Sequence, residues 1–180
     1  MASAPTGATN RSGMWMTLSD DLEILGQALV ALVLGGIIGF ERERAGKAAG
    51  IRTHMLICIS TTLFVRTGEI LMAWRMKNTG MDVINSDPVR ILEAIVTGIA
   101  FIGAGTVFRD RARNASYGLT TAASMLCVVP IGASVAVHRY ALAIGIMVIA
   151  WIVLRVFGQM EHKLGLSKQP PQVVEENAGR

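Results

Sequence analysis

Charge is scarce in this sequence. Asp, Glu, Lys and Arg together make up 17% of its 180 residues, against about 25% in a soluble globular domain. That shortfall excludes a water-solvated globule. Cysteine is nearly absent too. Cys58 and Cys127 both lie inside apolar runs, which excludes a disulfide framework and leaves each thiol as a small hydrophobe. The three histidines, His54, His138 and His162, are too scattered for a metal-ligand spacing. No nucleophile–base pair or phosphate loop is recognisable. An enzyme is therefore not expected, and no catalytic residue, metal or cofactor is assigned. The opening MASAPTGATNRSG lacks the charged-then-apolar pattern of a cleavable signal, so the first apolar helix is expected to stay as an uncleaved anchor.

What the chain does have is long apolar runs. Hydrophobic residues reach 52% and the mean hydropathy is +0.47. A helix of about 20 apolar residues crosses a bilayer. Five segments approach that length: Leu22 to Phe40, Ile51 to Trp74, Val89 to Phe108, Leu119 to Val137 and Tyr140 to Phe157. The expected fold is an all-α membrane protein, a bundle of about five transmembrane helices over residues 18–158. Disordered tails are expected at 1–17 and 159–180. Ser19 is placed to cap the first helix, with Asp20 and Asp21 in its first turn. Pro88, after Asp87 in the polar loop, can open the third helix. The second segment is the weakest because it holds Arg66 and Glu69; four spans with a re-entrant second segment is the alternative.

The basic residues alternate between the two ends of these spans. Arg42, Arg44, Lys47 and Arg52 follow the first, and Arg109, Arg111 and Arg113 follow the third. The opposite loops carry Arg75, Lys77 and Arg90 in one case and Arg139 in the other. The excess of positive charge on cytoplasmic loops then puts the N-terminus outside and the C-terminus in the cytoplasm.

Two stretches carry a resemblance. GGIIGFERERAGKAAGIRTHMLICISTTLFV (35–65) resembles the first signature block of the MgtC/SapB membrane family. DPVRILEAIVTGIAFIGAGTVFRD (87–110), with YGLTTAASM (117–125), resembles the second. The match runs over residues 20–157 with the motifs in family order. It implies a multi-pass protein of a bacterial inner membrane, associated with magnesium homeostasis, growth in low magnesium, survival in macrophages and virulence. It also implies a regulator of membrane partners, the F-type ATP synthase among them; magnesium or other ion transport is the alternative. Many members continue into a cytoplasmic ACT-type domain, and no such domain is expected in 159–180.

Three groups of residues are candidates for function. The first is the family-motif loop, Glu41, Arg42, Glu43, Gly50, Arg52, Thr53 and His54. There Glu41 and Arg44, three apart, are expected to pair for a few tenths of a kcal/mol. Donors at Arg52, Thr53 and His54 suit a phosphate, a lipid head group or a carboxylate. The bland reading is a topogenic loop touching lipid. The second group is Arg66 and Glu69, with Arg90 and Glu93 at the same spacing. At about 1.5 Å rise per residue all four are expected to meet in the outer half of the bundle. Such charges are costly in lipid and persist when paired, as a polar pocket or simply as a salt-bridge cluster. Two arginines matched to two glutamates argue against a cation site.

The third group is the small-residue stretch of the third span, with Gly98, Gly103 and Gly105. Ala94 and Gly98, and Ala100 and Ala104, are small-xxx-small pairs for close helix packing, inside the bundle or between two copies. Gly118, Thr120, Thr121 and Ser124, opening the fourth span, are expected to line the same region, although such hydroxyls usually bond their own helix. The expected partners are membrane lipids, other membrane proteins and a second copy of the chain, not nucleic acid.

Overall fold

Long apolar segments become helices because a helix satisfies its own backbone polar groups where no water can. The computed structural model describes residues 11–79, 88–110 and 115–158. The helices are α1 (Arg11–Arg44), α2 (Ile51–Thr79), α3 (Pro88–Gly105), α4 (Leu119–Ala136) and α5 (Tyr140–Ile152). Strands β1 (Phe108–Asp110) and β2 (Ala115–Tyr117) lie between α3 and α4. Among the described residues three helices are long and apolar enough to cross a membrane, over Leu18–Arg44, Ile51–Trp74 and Leu119–Ala136, and Tyr140–Val156 is a shorter apolar helix.

Local structure departs from expectation at three places. Helix α1 starts at Arg11 rather than after a disordered stretch to 17, and its first turn holds no acidic residue. Ser19, Asp20 and Asp21 are helix interior instead of a cap, since no proline interrupts the preceding MWMTL. The basic stretch after α3 is partly a strand pair, with Phe108 opposite Tyr117 and Asp110 opposite Ala115. Gly118, at φ 85°, ends this pair and starts α4 in a left-handed conformation that a side chain resists. Finally, α5 ends in a π-helical turn, Val153–Phe157. Asp87 and the segments 1–10 and 159–180 fall outside the described residues.

Helices α2 and α4 are central: α1 packs on α2, α4 and α5, and α3 packs on α4 and α2. The core is built from Leu34 and Ile38 of α1, Ile57 and Cys58 of α2, and Met125, Val128, Ile131 and Val135 of α4. Glycine permits this proximity. A β-carbon at Gly35 would lie 2.7 Å from the His54 carbonyl oxygen, one at Gly39 2.6 Å from the Ile51 Cα, and one at Gly132 2.5 Å from the Cys58 carbonyl oxygen. These helices thus meet backbone to backbone. Helix α1 ends at Gly46, with φ 64°. The Gly46 N–H donates to the Glu43 carbonyl and the Lys47 N–H to the Arg42 carbonyl, the paired bonds of a Schellman cap. That cap reverses the chain into α2 and brings the motif residues together.

Candidate functional site

Polar side chains gather at the two ends of the α1–α2–α4 core. At the α1–α2 turn, Glu41 and Arg42 are buried, and Arg42 Nε donates to Glu41 Oε2 at 2.6 Å. This replaces the expected Glu41–Arg44 pair, because Arg44 points outward while the Arg42 guanidinium is drawn inside. Arg42 Nη2 donates to the Leu154 carbonyl in the π turn. Arg42 Nη1 is buried without a partner among the described residues.

Glu43 caps the next helix: its Oε2 accepts the Ile51 N–H at 2.9 Å, one of the donors that a helix start leaves free. A β-carbon at Gly50 would sit 2.6 Å from that oxygen, so this position accommodates the carboxylate. His54 is wholly buried, with Nδ1 2.9 Å from the Gly50 carbonyl and Nε2 3.0 Å from Ser124 Oγ. A carbonyl only accepts, so Nδ1 carries the proton, and Nε2 of the neutral ring accepts from the Ser124 hydroxyl. The Thr121 carbonyl, 2.8 Å from the same hydroxyl, competes for it. Arg52 is exposed and Thr53 half-buried. Of the expected surface donors, His54 is therefore an internal tie between α2 and α4, and Arg52 alone stands free to meet a head group. Thr120 is exposed and Thr121 buried.

The opposite end holds a second network. Arg66 Nη1 donates to Glu69 at 2.8 Å, as the spacing of three predicts. The cross-helix partner of Arg66 is Glu23 of α1, at 3.8 Å, and Glu23 also meets His138 of the α4–α5 turn. Gln27, buried, lies with Nε2 3.0 Å from the His138 ring and 3.4 Å from the Ala136 carbonyl. His138 itself stands at φ 59°, a left-handed geometry in which histidine is over-represented among non-glycine residues.

Arg90 and Glu93 do not join this network. Helix α3 meets α2 where Ile91 fills the space over Gly68, and Gly68 lies about 200° around α2 from Arg66 at roughly 100° per residue. Sequence reasoning overlooked Glu23, Gln27 and His138. The only signals for them were a carboxylate and an amide early in an apolar helix and a histidine in the break between two spans.

Arg90, Glu93, Ala94, Thr97 and Gly98 instead line an open groove along one face of α3. Gly103 touches Ala122 of α4, whereas a β-carbon at Gly98 or Gly105 would meet nothing within 4 Å among the described residues. Among those residues, the packing role expected of all three glycines is thus met by Gly103. Among the described residues no group of three or more His, Cys, Asp or Glu is placed to hold a metal ion.

The family model described as the MgtC family matches residues 28–163, which takes in the α1–α2 turn, the α3 face and all of the second network except Glu23 and Gln27. The chain is 36% identical over 143 residues to the Escherichia coli K12 protein named "Putative magnesium transporter YhiD", covering 79% of this chain and 64% of that one. It is 33% identical over 144 residues to Protein MgtC of Salmonella typhimurium, 78% of this chain and 56% of that one. With Protein MgtC of Brucella abortus it shares 34% over 102 residues, 57% and 37% of the two chains. The chain thus spans less than two thirds of the length of these relatives. No solved structure matches.

Proposed function

The chain belongs to the MgtC family, and from that premise we propose that it is a regulator of other membrane proteins in adaptation to low magnesium, not a conduit for the ion. It sits in a bacterial inner membrane with five spans, the N-terminus outside and the C-terminus in the cytoplasm. The observation that carries this reading is how the α1–α2–α4 core is closed. Its helices touch through Gly35, Gly39 and Gly132 with no room for a methyl group. Most polar groups within it are turned on one another: His54 on Ser124, Thr62 on the Gly132 carbonyl at 2.9 Å, and Thr61 on the Ile57 carbonyl. Among the described residues the buried side-chain polar atoms left without a partner are Gln27 Oε1, Arg42 Nη1 and Arg66 Nε, at the two ends of the core and mostly on arginine. An ion path needs groups left free to replace water around the ion. A regulator needs free groups on its outside, which is where the α3 face presents Arg90 and Glu93. Membrane partners, the F-type ATP synthase among them, and effects on intracellular survival and virulence follow from the family resemblance.

Transport is the second reading, favoured by the name of the Escherichia coli relative. Magnesium uptake into proteoliposomes with an imposed membrane potential separates the two. The expected result is no uptake above empty vesicles. Uptake abolished by Glu93→Gln would make the protein a transporter. Reporter fusions at each terminus test the orientation, and a cytoplasmic N-terminus would reverse it.

A further inference from the structure

Two side chains of α1 claim one nitrogen. The Nε2 atom of His138, in the turn between α4 and α5, lies 2.5 Å from Glu23 Oε1 and 3.0 Å from Gln27 Nε2. Glu23 and Gln27 are four residues apart, one turn along the same face of the helix. A ring nitrogen either donates through its hydrogen or accepts through its lone pair, and it cannot do both. An ionised carboxylate only accepts, so the bond to Glu23 needs a proton on Nε2. The amide nitrogen only donates, so the bond to Gln27 needs that proton gone.

Turning the Gln27 amide over does not remove the conflict. The side chain is buried. Its Nε2 also reaches the Ala136 carbonyl at 3.4 Å, while Oε1 has no partner among the described residues. The reversed amide would set its oxygen against the Ala136 carbonyl and place its amino group where no acceptor stands among those residues. Gln27 therefore favours the bare nitrogen, and Glu23 favours the protonated one.

Glu23 has a second cation within reach. Arg66 of α2 stands 3.8 Å from the same Oε1 atom, and it keeps Glu69 at 2.8 Å whichever way Glu23 turns. The other ionisable groups at this end are Asp20 and Asp21 on α1, both exposed, exposed Arg139 beside the histidine, and Tyr140. The Tyr140 ring meets His138 edge-on, with centroids 6.1 Å apart.

We propose that His138 is a proton-operated selector that assigns Glu23 to one of two neighbours. With the ring neutral, Nε2 accepts from Gln27 and Glu23 turns to Arg66, so charge ties α1 to α2. With the ring protonated, the imidazolium holds Glu23, Gln27 keeps the Ala136 carbonyl, and the tie passes to the α4–α5 turn. An imidazole makes such a change between about pH 5 and 8, and the half-exposed pair is open to protons from water. On the orientation proposed above that water lies outside the cell. The exchange itself depends neither on that orientation nor on whether the protein regulates or transports.

Double-mutant cycles in detergent melts of the full chain at pH 5.5 and pH 8 test it, with Glu23→Gln, His138→Asn and Arg66→Gln made singly and in pairs. Asparagine tolerates the left-handed geometry of position 138. Every other titrating group, His54 and His162 included, is common to all members of a cycle and cancels. The Glu23–His138 coupling is expected to be on the order of 2 °C in melting midpoint at pH 5.5 and to fall by about threefold or more at pH 8. The Glu23–Arg66 coupling is expected to rise over the same step. Ring-nitrogen NMR of histidine-labelled protein reads the change without any charge variant, with His138 identified by the signal lost in His138→Asn. A bare Nε2 is expected at pH 8, and two N–H groups at pH 5.5. A ring that keeps one state across this range, equal Glu23–His138 coupling at both pH values, or two couplings that move in the same direction would each overturn the selector.

Discussion

Residues 35–39 (GGIIG) and 97–105 (TGIAFIGAG) look alike on paper, both rich in glycine within an apolar helix. In the fold they meet opposite surroundings. Gly35 and Gly39 of α1 are pressed against α2, and Gly132 of α4 is pressed against α2 at Cys58 and Thr61. Gly98 and Gly105 of α3 face open space. Charge divides the same way: Arg42 is buried against Glu41, whereas Arg90 and Glu93 are turned outward. Spacing tells where a helix can be approached closely, and only the fold tells whether the approaching helix comes from the same chain.

Substitutions that treat the two regions alike should separate them. The largest effect is expected from Glu41→Gln, which leaves the Arg42 guanidinium buried and uncompensated. Removing one partner of such a pair costs about 3–5 kcal/mol, read as a fall of roughly 10 °C in the midpoint of a detergent melt. A melt unchanged by Glu41→Gln would erase the distinction between the buried and outward charges.

Next is a pair of identical changes with opposite sign. Gly39→Ala drives a methyl into the Ile51 backbone and should lose about 1–3 kcal/mol. Gly98→Ala meets nothing among the described residues and should gain up to about 1 kcal/mol from helix propensity. Melts of the two variants should move in opposite directions, and a shared direction would break the comparison. Smaller still is Ser124→Ala, which removes the hydroxyl bonded to His54 and should cost about 1 kcal/mol. The loss should shrink when His54→Ala is already present, as a double-mutant cycle can measure. Smallest is Glu69→Gln, whose half-exposed pair with Arg66 should contribute a few tenths of a kcal/mol and fade further in high salt.

Much of the fold was legible because hydropathy and punctuation act locally. The starts of α2 at Ile51, α3 at Pro88, α4 at Leu119 and α5 at Tyr140 follow from apolar runs and their polar breaks. The Arg66–Glu69 pair follows from spacing on one helix. The hairpin after α3 was missed because its pairing depends on a buried Tyr117 and a left-handed Gly118, and neither stands out in a basic stretch. The site was less legible because its partners are far apart in sequence. His54 and Ser124 are 70 residues apart, and Glu23 and His138 115. Nothing local in the chain says which face of α2 turns to α1, so Arg66, Glu69, Arg90 and Glu93 were drawn into one cluster when the fold splits them between two places.

The contact between Arg42 and the Leu154 carbonyl joins groups 112 residues apart, and it sets an order of events during synthesis. When α1 first enters the bilayer, the carbonyl that will receive its guanidinium has not yet been made. Until the last helix follows, Arg42 has only Glu41 and whatever water or head groups stand near. The first helix therefore cannot take its final seat early, and the nascent bundle stays unlocked at that end until its last turn, wound in a wider π geometry, is delivered. Closure of the motif loop thus waits on the turn at Val153–Phe157.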